Sequence, residues 1–316
     1  MPFLTKITGS CALLLAVAAL SAEAQSSPYS TRMEVVHGKP YVMVMVDGRG
    51  PFRFLIDTGT GGQALVGTEL ADQLNLPTVG DTRLTDPSGQ GDHRAEIVLI
   101  DSLNVAGAEF TGIKAVRHRL YGEDATCQGL LGFTIFKDYL LTLDYPSQLV
   151  KLDYGALTPD GENSVLPFRM PDGIPIANLS IGDTRVEALF DSGGTGLSLP
   201  ERVASRLKFE SVPASFGSAE SLSTRFLVKS AKLGSDVHLG QYTFARPFVE
   251  INSAFPLVNF GSFPMQNFLF TFDQANLLMR IESTQKTFHL TASPTTLQMR
   301  NAPKLKPPDP KLVPVG

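Results

Sequence analysis

The chain has 316 residues, 43% of them hydrophobic and 18% charged, with a formal net charge of -4. That length exceeds one small core and suits two units of ordinary domain size. The weak charge, with no basic block and no acidic run, argues against a nucleic-acid partner and against a solvating tail; the 28 glycines and 22 prolines point to many turns between short strands.

Residues 1–24 read as an export signal. Lys6 supplies a positive n-region, CALLLAVAALSA an apolar h-region, and Ala22-Glu23-Ala24 an A-x-A cleavage site. The apolar run is too short to span a bilayer as a mature helix, so no membrane span is expected after cleavage. The expected location is periplasmic or secreted. Cys11 lies ahead of the apolar run rather than at its end, which does not fit a lipidated cysteine. Cleavage leaves Cys127 as the sole cysteine, so no internal disulfide can form. In ATCQGLLG, beside an apolar segment, Cys127 is expected as a small buried residue. Residues 25–32 are a short N-terminal extension.

The first unit, residues 33–155, opens with an alternating strand, a turn in VDGRGPF and a second apolar strand that ends FLID at Asp57. A glycine-rich turn, Thr58-Gly59-Thr60-Gly61-Gly62, follows. TELADQLNLP then reads as a short helix, with Leu70 and Leu74 four apart. LTDPSGQGDH reads as a hairpin tip, AEIVLIDSLNVAGAEF as alternating strands, and GLLGFTIFKDYLLTLDYPSQLVKLDY closes the unit. Residues 156–164 are a polar linker.

The second unit, residues 165–291, repeats this order. A hairpin turn in IGDTRVE leads into ALFD at Asp191, then Ser192-Gly193-Gly194-Thr195. PERVASRLKF is the matching helix, with Val203 and Leu207 four apart and Pro200 suited to its first turn. SFGSAESLST matches the hairpin tip, and VNFGSFPMQNFLFTFDQANLLMRIES the closing segment. Gly132 aligns with Gly261 and Asp144 with Asp273. Such a repeat is two homologous lobes rather than a solenoid, whose periods run about 20–50 residues. Residues 292–316, with APKLKPPDPKLVPVG, are a proline-rich flexible tail.

A strand, an aspartate, a small hydroxyl residue and a glycine thus occur once per lobe. A pseudo-twofold would bring the two turns together. Two close carboxylates cannot both ionise easily, so the pair holds one proton over a wide pH range. The carboxylate member can take a proton from water while the protonated member polarises a carbonyl. Gly59 and Gly193 allow the sharp turns; Thr58 and Ser192 can reach across to the other turn; Thr60 can donate to a carboxylate.

Asp57-Thr58-Gly59-Thr60 and Asp191-Ser192-Gly193, each after an apolar strand, with Leu130-Leu131-Gly132 and Asn259-Phe260-Gly261 downstream, resemble the aspartic proteases. The resemblance covers roughly 33–290. It implies an all-β fold with short helices. The two homologous acid-protease lobes, β-barrel-like and related by a pseudo-twofold, would flank a cleft, in the manner of bilobal pepsin-like enzymes or of bacterial retropepsin-like lobes in tandem. It implies Asp57 and Asp191 as catalytic residues, a peptide or protein substrate, no cofactor and no metal. Both lobes lie in one chain, which is consistent with a monomer. It also implies a flap, for which Asp86-Pro87-Ser88-Gly89-Gln90-Gly91 is the candidate, although the flap tyrosine of bilobal members is missing. The pattern departs again after Gly193. Where the family has Ser or Thr, Gly194 stands, so either Asp191 lacks one hydrogen bond or Thr195 replaces it.

Other chemistries lack support. GTGG has no P-loop lysine, no G-x-S-x-G occurs, and His37, His93, His118, His238 and His289 are scattered without zinc-ligand spacing. Asp144 and Asp273 recur, but in closing turns that a structural role explains. Two readings stand: an exported aspartic endopeptidase, or an inactive relative that binds peptides or envelope proteins.

Overall fold

A computed structural model describes residues 29–84, 93–120, 126–160, 164–220 and 225–291. The expected signal, the flap candidate Asp86–Gly91 and the proline-rich tail lie outside the described residues. Among the described residues the chain is built mainly of strands, in one sheet of 16 and one of 8.

Each half starts with the hairpin expected of it. Lys39–Val46 pairs with Arg49–Asp57 around Asp47 and Gly48, both at positive φ, which suits the right-handed twist of the flanking strands. Ile176–Ile181 pairs with Thr184–Asp191 around Gly182, also at positive φ. In the first half the alternation is visible residue by residue. Phe54 and Ile56 are fully buried, while Asp57 ends the strand half-buried on the opposite face.

The strand ending in each aspartate then receives a parallel partner from the closing segment. Arg49–Asp57 pairs with Gly129–Gly132, setting Asp57 opposite Gly132. Thr184–Asp191 pairs with Val258–Gly261, setting Asp191 opposite Gly261. The two glycines that align in the sequence therefore occupy the same register position beside their aspartates.

The closing segments also join the halves. Leu140–Asp144 pairs antiparallel with Leu269–Asp273 along its whole length, and the Thr142 and Thr271 hydroxyls meet at 2.9 Å. Leu149–Asp153 continues that sheet and takes Tyr29–Arg32 as an edge partner. Part of the expected N-terminal extension is thus a strand. Leu157, inside the expected linker, is buried, and its N–H donates to Asp273 Oδ2 at 2.9 Å. Asp144 and Asp273 do cap turns, accepting from the N–H groups of Ser147 and Asn276.

The helices are shorter than the sequence suggests. Thr68–Leu74 forms as expected. Its counterpart is only Glu201–Ala204, and Pro200 lies before it at ψ 143°, as a cap rather than in the first turn. A 3-10 turn at Phe133–Phe136 and a short helix at Ser262–Met265 follow the two register glycines. With no disulfide among the described residues, packing carries the stability. Phe54, Phe133, Phe136, Phe190, Phe260, Phe268, Phe270 and Phe272 are all completely buried, each contributing about 1.5–3 kcal/mol against exposure. Cys127 is half-buried rather than buried, its thiol donating to the Gly129 carbonyl.

Candidate active site

The two aspartate turns meet. Thr58 donates its hydroxyl to the Phe190 carbonyl at 2.7 Å and accepts from the Ser192 N–H at 2.9 Å. Ser192 answers with a hydroxyl donated to the Ile56 carbonyl at 2.6 Å, and it accepts from the Thr58 N–H at 3.0 Å. Both residues are fully buried, so these four bonds lock one turn to the other out of reach of water. The glycines between them are set by the same approach. A Cβ on Gly59 would lie 2.5 Å from Asp191 Oδ1, and one on Gly193 would lie 2.5 Å from Asp57 Oδ1. Each glycine therefore leaves room for the other half's carboxylate.

The carboxylates are held by donors from their own turns. Asp57 Oδ1 accepts from the Gly59 N–H at 2.9 Å, and Oδ2 from the Thr60 hydroxyl at 3.0 Å. Asp191 Oδ1 accepts from the Gly193 and Gly194 N–H groups at 2.9 and 2.8 Å. Asp191 Oδ2 accepts from Asn259 Nδ2 at 2.6 Å. The donor expected from Thr195 comes instead from Asn259, two residues before the register glycine of the second half. Thr195 turns its carbonyl to the N–H of Phe263. The departure at Gly194 is thus compensated from another strand, and a backbone N–H at Gly194 adds a donor.

The interlocked turns bring each carboxyl group up against the glycine of the other turn. Burial pushes the Asp57 pKa up from 3.8 to about 7, and the negative charge of Asp191 and the hydrogen bond to it push the same way. The Thr60 hydroxyl and the Lys39 cation act against that rise. Such a pair carries one proton between its two titration steps. The charge of Asp191 is also felt at Tyr145, whose buried phenol is raised far above its ordinary value by burial first and that charge second.

Of the residues expected at the site, Asp57, Thr58, Gly59, Thr60, Asp191, Ser192, Gly193 and Gly194 converge, Thr195 serves through its backbone, and the flap candidate falls outside the described residues. The strands that flank the candidate are paired up to Leu84 and His93. Among the described residues no group of His, Cys, Asp and Glu could hold a metal ion. No helix there is long and apolar enough to cross a membrane.

Asn259→Leu tests the substituted donor, since leucine is what the first half has at the matching position, Leu130. The variant removes the donor to Asp191 Oδ2, and losing a hydrogen bond to a charged group costs on the order of 1.5–3 kcal/mol. Asn259→Leu should therefore lower kcat/KM about tenfold or more. An unchanged kcat/KM would assign Asn259 a packing role only.

Residues 42–135 match the family described as Aspartyl protease. That stretch holds Asp57 and the register glycine Gly132. A crystal structure of a retropepsin-like aspartic protease from Rickettsia conorii is similar to this chain at 23% identity, over 40% of this chain and 90% of that one, with a TM-score of 0.31. No curated protein matches. The resemblance to the aspartic protease family thus rests on the family match as well as on the duplicated motif.

Proposed function

We propose that the protein is an aspartic endopeptidase in which Asp57 and Asp191 act together on one water molecule. The observation that carries this reading is the interlocked pair of aspartate turns at the ends of equivalent strands, in which a Cβ on either glycine would lie 2.5 Å from an oxygen of the other half's carboxylate; the Asp57 pKa, raised to about 7, agrees with it. The halves act as two lobes related by a pseudo-twofold, and an extended peptide lies in the cleft between them, recognised through its main chain. The ionised carboxyl takes the water proton, the protonated one hydrogen-bonds the scissile carbonyl, and the tetrahedral species collapses as the amine leaves with a proton. No covalent enzyme intermediate is needed.

The competing reading, an inactive peptide-binding relative, draws on Gly194, on the absent flap tyrosine and on Asn259. The Gly194 N–H and Asn259 supply Asp191 with three donors in all, against two for Asp57, which favours a working pair. The test is a pool of mixed peptides incubated from pH 3 to pH 8 and read by mass spectrometry. Cleavage should be lost as the pH rises through about 7, where the pair gives up its shared proton. No cleavage at any pH would overturn the reading.

A further inference from the structure

One cation on the hairpin that leads to Asp57 has no counterpart in the second half. Tyr41 pairs with Leu55 and Val42 with Phe54. Continued by two residues, that ladder sets Lys39 level with Asp57, and residues level across a ladder share a face of the sheet. In the second half Ile176 pairs with Leu189, and the Phe190 N–H donates to the Pro175 carbonyl, so Ile174 stands level with Asp191. Gly38-Lys39-Pro40 and Gly173-Ile174-Pro175 are thus matching segments, with an aliphatic side chain where the first half has an ammonium group.

Both segments sit at the seam between the halves. A Cβ on Gly173 would lie 2.5 Å from the Gly61 carbonyl oxygen, and one on Gly61 would lie 3.5 Å from Ile174 Cγ2. A Cβ on Gly38 would lie 2.8 Å from Gln266 Nε2 and 2.9 Å from Ser262 Oγ, in the closing turn of the second half. Lys39 is half-buried, and its ammonium makes no ion pair or hydrogen bond among the described residues. The other charges around it are engaged or absent. Arg53, the next cation on the face of Asp57, lies four residues back, about 13 Å along the strand. It is held by Glu34 at 3.0 Å and Thr126 at 2.8 Å, over the Tyr41 ring. Glu34 is the sole charge on the neighbouring strand Glu34–Val36, and His37 is the other titratable group of the Lys39 turn. Gly129–Gly132, Phe133–Phe136 and Ser262–Met265 carry no charge. Asp191 faces Asp57 from the other turn. The Lys39 charge reaches Asp57 and opposes the rise that burial and Asp191 produce.

We infer that Lys39 is a positioning residue for the proposed reaction, acting through Asp57: its unpartnered cation holds the single negative charge of the pair and so sets the pH window in which the pair works. This inference rests on the proposed peptidase reading and adds the control of that same site. A charge at a half-buried position acts on its neighbour more strongly than one surrounded by water. The pair works with one proton, so its window lies between two titration steps. A nearby cation favours the ionised form at both steps, and both limbs of the window move to lower pH. Without Lys39 the window should lie higher, because Ile174 supplies no charge from the second half.

The experiment is the pH profile of kcat/KM on one cleaved peptide for the wild-type protein, Lys39→Met and Lys39→Arg, each profile scaled to its own maximum, with Tm measured alongside. Lys39→Met should shift both limbs to higher pH. At pH 8, on the falling limb, it should keep a scaled activity about threefold or more above that of wild type. On the acid limb it should fall below wild type. Lys39→Arg keeps the charge and should keep the wild-type limbs. A purely structural role would lower Tm or the maximum without moving the limbs, so superimposable scaled profiles for Lys39→Met and wild type overturn the inference. An equal shift in Lys39→Arg overturns it too, since shape rather than charge would then matter. If Lys39→Met does not fold, Lys39→Gln takes its place with the same expectation. Complete absence of cleavage by wild type is instead a failure of the peptidase reading. In that case a carbon-13 NMR titration decides: an Asp57 carboxyl that titrates at higher pH in Lys39→Met than in wild type supports the role of Lys39, and an unmoved titration overturns it.

Discussion

Asp57→Asn should lower kcat/KM for peptide hydrolysis about 10,000-fold, and Asp191→Asn should do the same within an order of magnitude. Asparagine keeps the shape of aspartate, and its one carbonyl oxygen can still accept from the Gly59 N–H, or from the Gly193 and Gly194 N–H groups, while its NH2 replaces the oxygen that accepts from Thr60 or Asn259. What it cannot do is take a proton from water. On the proposed mechanism the two groups share one proton, so the double variant should be scarcely worse than either single one. A sum of the two losses would mean that the aspartates act independently. The same substitution carries a signature in stability. The Asp57 pKa is 3.8 in its ordinary state and about 7 in the fold, so the folded protein holds a proton that the unfolded chain releases between those values. That contribution is full below about pH 4 and is lost as the pH rises through about 7. Wild type should lose on the order of 4 kcal/mol across this window from Asp57, and Asp57→Asn should show a flatter curve. Parallel curves for the two proteins in chemical denaturation would contradict the raised value.

Gly132→Ala should be among the most damaging single methyl additions. Its Cβ would overlap the Gly62 carbonyl oxygen and lie 2.9 Å from the Thr60 carbonyl oxygen, both backbone atoms of the turn that carries Asp57. The Gly132 N–H already donates to the Gln63 carbonyl, and the Phe133 N–H to that of Thr60, so the turn cannot retreat without breaking these bonds. Overpacking against backbone, with a displaced turn, costs about 4 kcal/mol or more. For a protein of this size that is a fall in Tm of about 10 °C, with a loss of activity alongside it. Gly80→Ala is the control. Gly80 is exposed, and a Cβ there would meet only Ile97 Cδ1, at 4.0 Å, so its Tm should change by no more than about 2 °C. Equal Tm for Gly132→Ala and wild type would show that the turn can move, and the close fit of strand and turn would then not position Asp57.

Asp57 and Asp191 are legible in the sequence because each ends an apolar strand and each copy continues with a hydroxyl residue and glycine. Two occurrences in matching context carry what one could not. Gly132 and Gly261 are legible by the same duplication, and the ladder places both beside their aspartates. The mainly β character follows from alternation and from the turn residues at Asp47-Gly48 and Gly182. Asn259 is not legible as a ligand of Asp191. In the linear pattern it stands where the first half has Leu130, and reads as a weaker copy; only the ladder shows that it shares a face with Asp191 and can reach it. The union of Leu140–Asp144 with Leu269–Asp273 is likewise invisible, since each strand is half of a self-contained closing segment in its own copy. The second helix shrinks to Glu201–Ala204 because its apolar spacing is real but short, and Leu207 packs against the core from beyond its end.

The central claim is that Asp57 and Asp191 titrate as one unit. Its most direct test is a carbon-13 NMR titration of the aspartate carboxyl groups, assigned with Asp57→Asn and Asp191→Asn. In wild type one carboxyl of the pair should remain protonated until the pH approaches about 7, and Asp191→Asn should bring the titration of Asp57 down, because the neighbouring charge is gone. Two carboxyls that both titrate near pH 4, unmoved by the loss of either partner, would contradict it.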